Sequence, residues 1–153
     1  MPRHRERRRL PYSADQMFDL VADVGRYAEF LPWVAAVRVR SDSPTVMVAD
    51  LIVGFKGLRE TFTSRVTKTR PHRIDTEYLD GPLKYLRSTW RFEPDARGGC
   101  CVDFCVEFAF RNRVFEALAG QVFDLALRKM TGAFEARART LYGISSERAV
   151  SAA

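Results

Sequence analysis

From Val34 to Phe110 apolar and polar residues alternate with a period of two, the spacing of strands whose successive side chains point to opposite sides. Val37 and Val39 alternate with Arg38 and Arg40. Further on, Met47, Ala49, Leu51, Val53 and Phe55 share one side of a run, as do Phe62, Ser64 and Val66, and then Leu86, Ser88, Trp90 and Phe92. The last run sets Val102, Phe104, Val106, Phe108 and Phe110 against Asp103, Cys105 and Glu107. Turn-forming stretches SDSPT, FKGL, RPHR, DGP and PDARGG divide the region into six strands, because Gly, Pro, Asn, Asp and Ser interrupt regular pairing. One dry side and one wet side predict an antiparallel sheet covered on a single face.

The period changes on either side of this region. Ser13 and Gln16 have the spacing of a capping box, followed by Ala14, Met17, Phe18 and Val21, which predicts a helix over 14–22 that stops near Gly25. Residues 26–33 read as one helical turn and then an extended entry into a strand, because Pro32 biases Leu31 away from helical angles. After Asn112 a helical stripe runs through Phe115, Leu118, Ala119, Val122, Ala126, Met130, Ala133, Arg137 and Leu141 to Gly143. A helix of about 30 residues spans about 45 Å, enough to cross a sheet. Helix, strands and long helix in that order predict an α+β domain over residues 1–143, with the sheet wrapped around one helix. The tail, residues 144–153, has no pattern and reads as disordered.

With 153 residues, 46% of them hydrophobic and 29% charged, one core is expected. No apolar run approaches the roughly 18 residues of a membrane span. The N-terminal PRHRERRRLPY lacks the apolar segment of a secretory leader, so the expected compartment is the cytoplasm. The net charge of +6 is mostly local: residues 1–10 hold five arginines and one glutamate, leaving +2 for the remainder. That is a basic arm rather than a basic protein. Arg3, Arg5, Arg7, Arg8 and Arg9 suit RNA, the ribosome or an anionic membrane surface, or else a solvated edge strand. DNA is not an expected partner.

Candidate chemistry is sparse. Cys100, Cys101 and Cys105 are an odd number, and adjacent strand residues face opposite ways, so neither a disulfide nor a zinc site is expected. His4 and His72 sit in the arm and in a turn, without the neighbours of a nucleophilic triad. Asp50 and Glu60 remain: if buried, either carboxyl would have a raised pKa and act as a general acid or base; if paired with arginine or exposed, neither would. Gly54 and Gly57 frame a turn without the GK[ST] that a phosphate loop needs.

Five stretches in order, VADVGRYAEFLPWV, LIVGFKGLRETFTSRV, DGPLKYLRSTWRFEP, VDFCVEFAF and MTGAFEARARTLYG, resemble the coenzyme Q-binding family of the START-like superfamily. That superfamily also holds polyketide cyclases, aromatases and a ribosome-association toxin subgroup. The resemblance spans residues 3–143 and implies a helix-grip fold: a curved antiparallel sheet of seven strands around a long C-terminal helix. Short helices follow the first strand, which passes through the arginine arm. It implies non-catalytic binding of ubiquinone or a related polyprenyl lipid in an apolar tunnel, in support of respiratory electron transport, with no cofactor besides that ligand and no metal. The stretch through Tyr27, Phe30, Leu31, Pro32 and Trp33 would form the tunnel mouth. Phe30, Leu31, Trp33, Val53, Phe55, Phe62, Leu86 and Trp90 would line it, with Phe123 and Met130 from the helix, and Tyr78 or Lys56 would meet a head group. Transient contact with the inner membrane fits a carrier. Two alternatives stay open: binding of the large ribosomal subunit through the arginine arm, and an aromatase or cyclase activity.

Overall fold

A computed structural model describes residues 3–31, 33–55, 58–81, 83–110 and 127–143 of the chain. The element order is β1 (Arg3–Leu10), α1 (Ala14–Ala22), a 3-10 helix (Val24–Glu29), β2 (Val34–Asp42), β3 (Val46–Phe55), β4 (Leu58–Thr69), β5 (Arg73–Asp80), β6 (Leu83–Pro94) and β7 (Cys100–Phe110). A helix over residues 127–138, α2, ends in a π-helical turn, Arg139–Gly143. The earlier part of the expected C-terminal helix, Lys56 and Gly57 of the FKGL turn, and the 144–153 tail lie outside the described residues.

The seven strands form one antiparallel sheet in the order β1-β7-β6-β5-β4-β3-β2. Strands β2 to β7 are a meander in which each neighbour in sequence is a neighbour in space, and β1 closes onto β7 from the far end. Register shifts at Val34/Ala36 and Val39/Ser41 in β2, Thr63/Ser64 in β4 and Leu83/Tyr85 in β6 bend the strands, since an extra residue on one strand sharpens the local twist. The faces follow the sequence alternation. Met47, Ala49, Val66, Ile74, Trp90, Phe92, Val102, Phe104, Val106 and Phe108 are buried on the concave side.

Helix α1 begins where its capping box puts it: the Ser13 hydroxyl accepts from the Gln16 N–H, and the Gln16 side chain accepts from the Ser13 N–H. Met17, Phe18, Leu20 and Val21 are buried, and the helix packs on β5 and β6 with Phe18 edge-on to Phe92. The arginine arm is β1, which our periodicity reading missed because its inward positions are His4, Glu6 and Arg8 rather than apolar residues. Its outward arginines are engaged across the sheet: Arg3 pairs with Glu107, while Arg5 and Arg7 reach Asp103 at 2.9 and 3.8 Å. Arg3, Glu107, Arg87, Glu77 and Arg65 are successive cross-strand partners over five strands, a rank of alternating charge on the convex face.

In α2 the buried positions are Leu127, Thr131, Phe134 and Ala138. The expected stripe through Met130, Ala133, Arg137 and Leu141 is therefore rotated by about one residue. Met130 and Ala133 are only partly buried against the core, and Leu141 is exposed. Thr131 reads as polar in sequence, but its hydroxyl donates back to the Arg128 carbonyl at 2.9 Å, which lets it face inward.

Candidate ligand-binding face

The concave side divides into two halves by how completely it is covered. Toward β1 and α1 it is filled. Trp90 lies among Phe92, Phe104 and Phe134 with ring centroids 6.3, 4.4 and 5.1 Å away, and Phe134 also meets Tyr27 and Phe30 edge-on at 5.2 and 5.1 Å. A residual cavity of about 20 Å³ between β1, β6, β7 and α2, lined by Leu10, Met17, Trp90, Val102, Phe104 and Phe134, is large enough for one water and no more. Its polar rim is a closed network. Glu6 lies 2.9 Å from His4 and 3.4 Å from Arg8, which reaches Glu135 at 2.5 Å and Thr131 at 3.4 Å. Burial alone would raise the Glu6 carboxyl, but hydrogen bonding with Thr131 and His4 and the charge of Arg8 outweigh it and hold the pKa below its ordinary value. Arg8, grouped in the sequence with the outward arginines, instead faces inward and ties β1 to α2.

The other half is less covered. Trp33, Val37, Leu51, Phe62, Tyr78 and Leu86 are partly buried against the core, as is Met130 on α2, whereas apolar residues at the α1 end are sealed. These half-buried residues belong to the concave side by register: Val37 opposes Leu51, Leu51 opposes Phe62, and Leu86 opposes Phe108.

The mouth segment is built from the 3-10 helix. Partly buried Tyr27 donates its hydroxyl to the Val21 carbonyl, and desolvation pushes the phenol pKa upward. Leu31 is core, its N–H bonded to the Tyr27 carbonyl at 2.9 Å. Phe30 is partly buried, its ring capped by the Arg137 guanidinium at 5.2 Å. Arg137 also holds Glu29 at 2.7 Å, so its ion pair and cation–π contact add to the Phe134 ring contacts in clamping this segment onto α2.

The sequence candidates therefore divide. Trp33, Phe62, Leu86 and Met130 are half-buried in the less covered half, with Val53 on the same side of β3, opposite Val34 and Glu60, whereas Phe30 joins Tyr27 and Phe134 in the aromatic cluster. Leu31 and Trp90 sit in the sealed half. Tyr78 shares the open half, and its hydroxyl accepts the Leu83 N–H at 2.8 Å, which holds the β5–β6 turn. Phe55 is on β3, and its side chain, like Lys56, Phe123 and Pro32, is outside the described residues. Phe134, the aromatic at the centre of the cluster, was missed; the spacing of Leu127, Thr131, Phe134 and Ala138 is the signal that would have found it.

The carboxylates do not converge on this face. Asp50 is only 4% exposed, yet it lies on the convex side, covered by its partners rather than enclosed. Thr63 donates to it at 2.7 Å and Arg40 at 2.8 Å. The Thr63 hydrogen bond, against a smaller desolvation cost and with help from Arg40, holds its pKa below the ordinary carboxylate value. Of the two alternatives the sequence leaves for Asp50, the structure takes the one paired with arginine. Glu60 is exposed. All three cysteines are free thiols, and burial pushes Cys100 up to about 11.

An open antiparallel sheet gripping a C-terminal helix is the START-like architecture. A START superfamily protein from Mycobacterium smegmatis shares it with a TM-score of 0.72 over 91% of this chain and 98% of its own, at 17% identity, a likeness of fold alone. Membership is shown by sequence: residues 10–135 match the family described as polyketide cyclase / dehydrase and lipid transport, and the chain belongs to that family. Among its relatives is a ribosome association toxin RatA from Rickettsia prowazekii, 39% identical over 85% of this chain and 91% of the relative. Another is coenzyme Q-binding protein COQ10 homolog B, mitochondrial, from Xenopus laevis, 37% identical over 88% of this chain and 57% of the relative. Among the described residues no helix is long and apolar enough to cross a membrane.

Proposed function

We propose that the protein binds a neutral, mostly apolar lipid of the polyprenyl-quinone type between the open half of its sheet and the C-terminal helix, as a carrier rather than a catalyst. The observation that carries this reading is the unfinished burial of Trp33, Leu51, Phe62, Leu86 and Met130 on a concave face. Covering such a face with an isoprenoid tail gains about 25 cal/mol per Å² of apolar area, and ligand sites are typically concave and mostly apolar. The name of the Xenopus relative supports the ligand class. Binding rather than turnover is supported by Asp50, whose carboxylate is spent on Arg40 and Thr63 on the opposite face.

Organic extraction of freshly purified protein, followed by mass spectrometry of the extract, tests this. A stoichiometric quinone, absent from a Leu86→Glu variant that still melts cooperatively, is the expected result. Protein that is empty and takes up no added quinone overturns it.

A second reading, association with the large ribosomal subunit, draws on the names of the bacterial relatives and on the outward arginines of β1. Arg3, Arg5 and Arg7 are committed to Glu107 and Asp103, which weakens them as phosphate contacts. Co-sedimentation with large subunits that falls steeply with salt, in the absence of extractable lipid, favours this reading.

A further inference from the structure

Three hydroxyl side chains interrupt the apolar concave face on its three middle strands, beside Ala49, Val66 and Val106. Ser64 on β4 opposes Ala49 and Tyr78; Thr76 on β5 opposes Val66 on one side and Ser88 of β6 on the other. By strand alternation all three face α2's side of the sheet, between the sealed aromatics and Leu86 with Phe62. Ser64 is 6% exposed, and Thr76 and Ser88 are half-buried. Among the described residues none of the three hydroxyls has a hydrogen-bond partner, and none is sealed as a buried unsatisfied group. Thr76 and Ser88, direct cross-strand neighbours, do not bond to each other. Apolar residues at these positions would pack the sheet better, and a polar group taken from water without a partner costs stability.

We propose that Ser64, Thr76 and Ser88 form a neutral polar floor that receives the oxygen-bearing ring of the bound ligand by hydrogen bonds to its carbonyl or hydroxyl groups. This rests on the lipid-binding reading and specifies the end of the ligand that lies innermost. The floor selects against anionic lipids. Among the described residues, Arg8, Lys68 and Arg137 are each occupied, with Glu135, with Asp42 at 2.6 Å and with Glu29. A carboxylate or phosphate on the floor would therefore be desolvated without a counter-charge from these three. The ligand class is a lipid with an uncharged, oxygenated ring, such as a benzoquinone, rather than a fatty acid or phospholipid.

Isothermal titration with three tail-matched compounds, decyl-benzoquinone, decylbenzene and decanoate, tests the floor in the wild-type protein and in a Ser64→Ala, Thr76→Val, Ser88→Ala triple variant. The wild type is expected to prefer the quinone to decylbenzene by at least about tenfold, as two or more neutral hydrogen bonds allow, and to bind decanoate most weakly. The triple variant should lose that preference while holding decylbenzene as before. Should the triple variant fail to melt cooperatively, the single Thr76→Val, close in shape, is expected to weaken quinone binding severalfold and leave decylbenzene unchanged. Quinone affinity that survives the substitutions overturns the floor and leaves the apolar face standing, as does decanoate binding as tight as quinone binding. A wild-type protein that binds neither decyl-benzoquinone nor decylbenzene overturns both.

Discussion

Replacing Phe134 by alanine is the most direct trial of how α2 is held on the sheet. The ring is 3% exposed and meets Tyr27, Phe30 and Trp90 at centroid distances of 5.2, 5.1 and 5.1 Å, all in edge-to-face arrangements. Truncating a buried phenylalanine costs roughly 3–5 kcal/mol through lost transfer energy and the cavity left behind. Each aromatic pair carries about 0.5–1.5 kcal/mol beyond area burial, which places this site toward the upper end, near 4 kcal/mol. For a chain of this length 1 kcal/mol shifts Tm by about 2–4 °C, so a fall of about 8–16 °C is expected. That removes a large part of the 5–15 kcal/mol that ordinarily separates a domain of this size from its unfolded state, roughly speaking, yet leaves a cooperative transition. Urea unfolding of lipid-stripped protein is the appropriate assay, because a ligand that binds only the native state adds stability of its own. Phe134→Leu, which keeps most of the volume and loses the ring geometry, should cost about 1–2 kcal/mol. A Phe134→Ala loss below about 1 kcal/mol would refute the argument, since it would mean that the ring does not stand between the mouth segment and the sheet.

Gly99→Ala is expected to destabilise by about 2 kcal/mol or more, read as a lowered urea midpoint, because the new methyl would lie 2.3 Å from the Leu10 carbonyl oxygen, a backbone atom. Ser13→Ala should cost about 1 kcal/mol and a few degrees of Tm through loss of the capping box seen at α1. A variant as stable as the wild type would show that the cap is idle. Acid should weaken the fold through Asp50, Asp103 and Glu6, whose folded pKa values are depressed by Thr63, by Arg5, and by Thr131 with His4, respectively. The stability they contribute is present above their unfolded pKa near 4 and is lost as pH falls through the lower folded values. The urea midpoint should therefore begin to drop below about pH 4.5, and a midpoint level down to pH 2 would contradict these pairs.

Most of the fold was legible because alternation determines which side of a strand is dry; Val102 to Phe108 carries it without interruption and Leu86 to Phe92 with only Ser88 between. The capping box placed α1 to the residue. Strand β1 was illegible for a physical reason: of its inward positions His4 pairs with Glu6, and Glu6 and Arg8 are satisfied by Thr131 and Glu135 from the far end of the chain, so no apolar pattern marks them as inward. The helix stripe was misplaced because α2 has apolar residues on more than one face, and only contact with Trp90 and Tyr27 decides for Phe134 over Met130. The site was half legible. Residues of the correct face could be named, but which end of that face stays open depends on where α1 and the Tyr27–Phe30 turn press against it, a property of the assembled layers.

The closure of β1 onto β7 has a consequence for the chain as it is synthesised. Residues 3–10 emerge before the other strands, yet their partners, Cys100 to Glu107, belong to the last strand of the sheet to be made, whereas β2 to β7 pair in the order in which they appear. The meander can zip up one hairpin at a time, each pairing local and fast, and only the final pairing closes a long loop. Until then β1 is a strand without a sheet, the kind of segment that seeks edges on other molecules. Five arginines in eight residues make it repel its own copies during that wait. The same side chains later find Glu107, Asp103 and Glu135. The charge that looks like a binding signal in the sequence thus also serves as a timing device, keeping the first strand apart until the last one arrives.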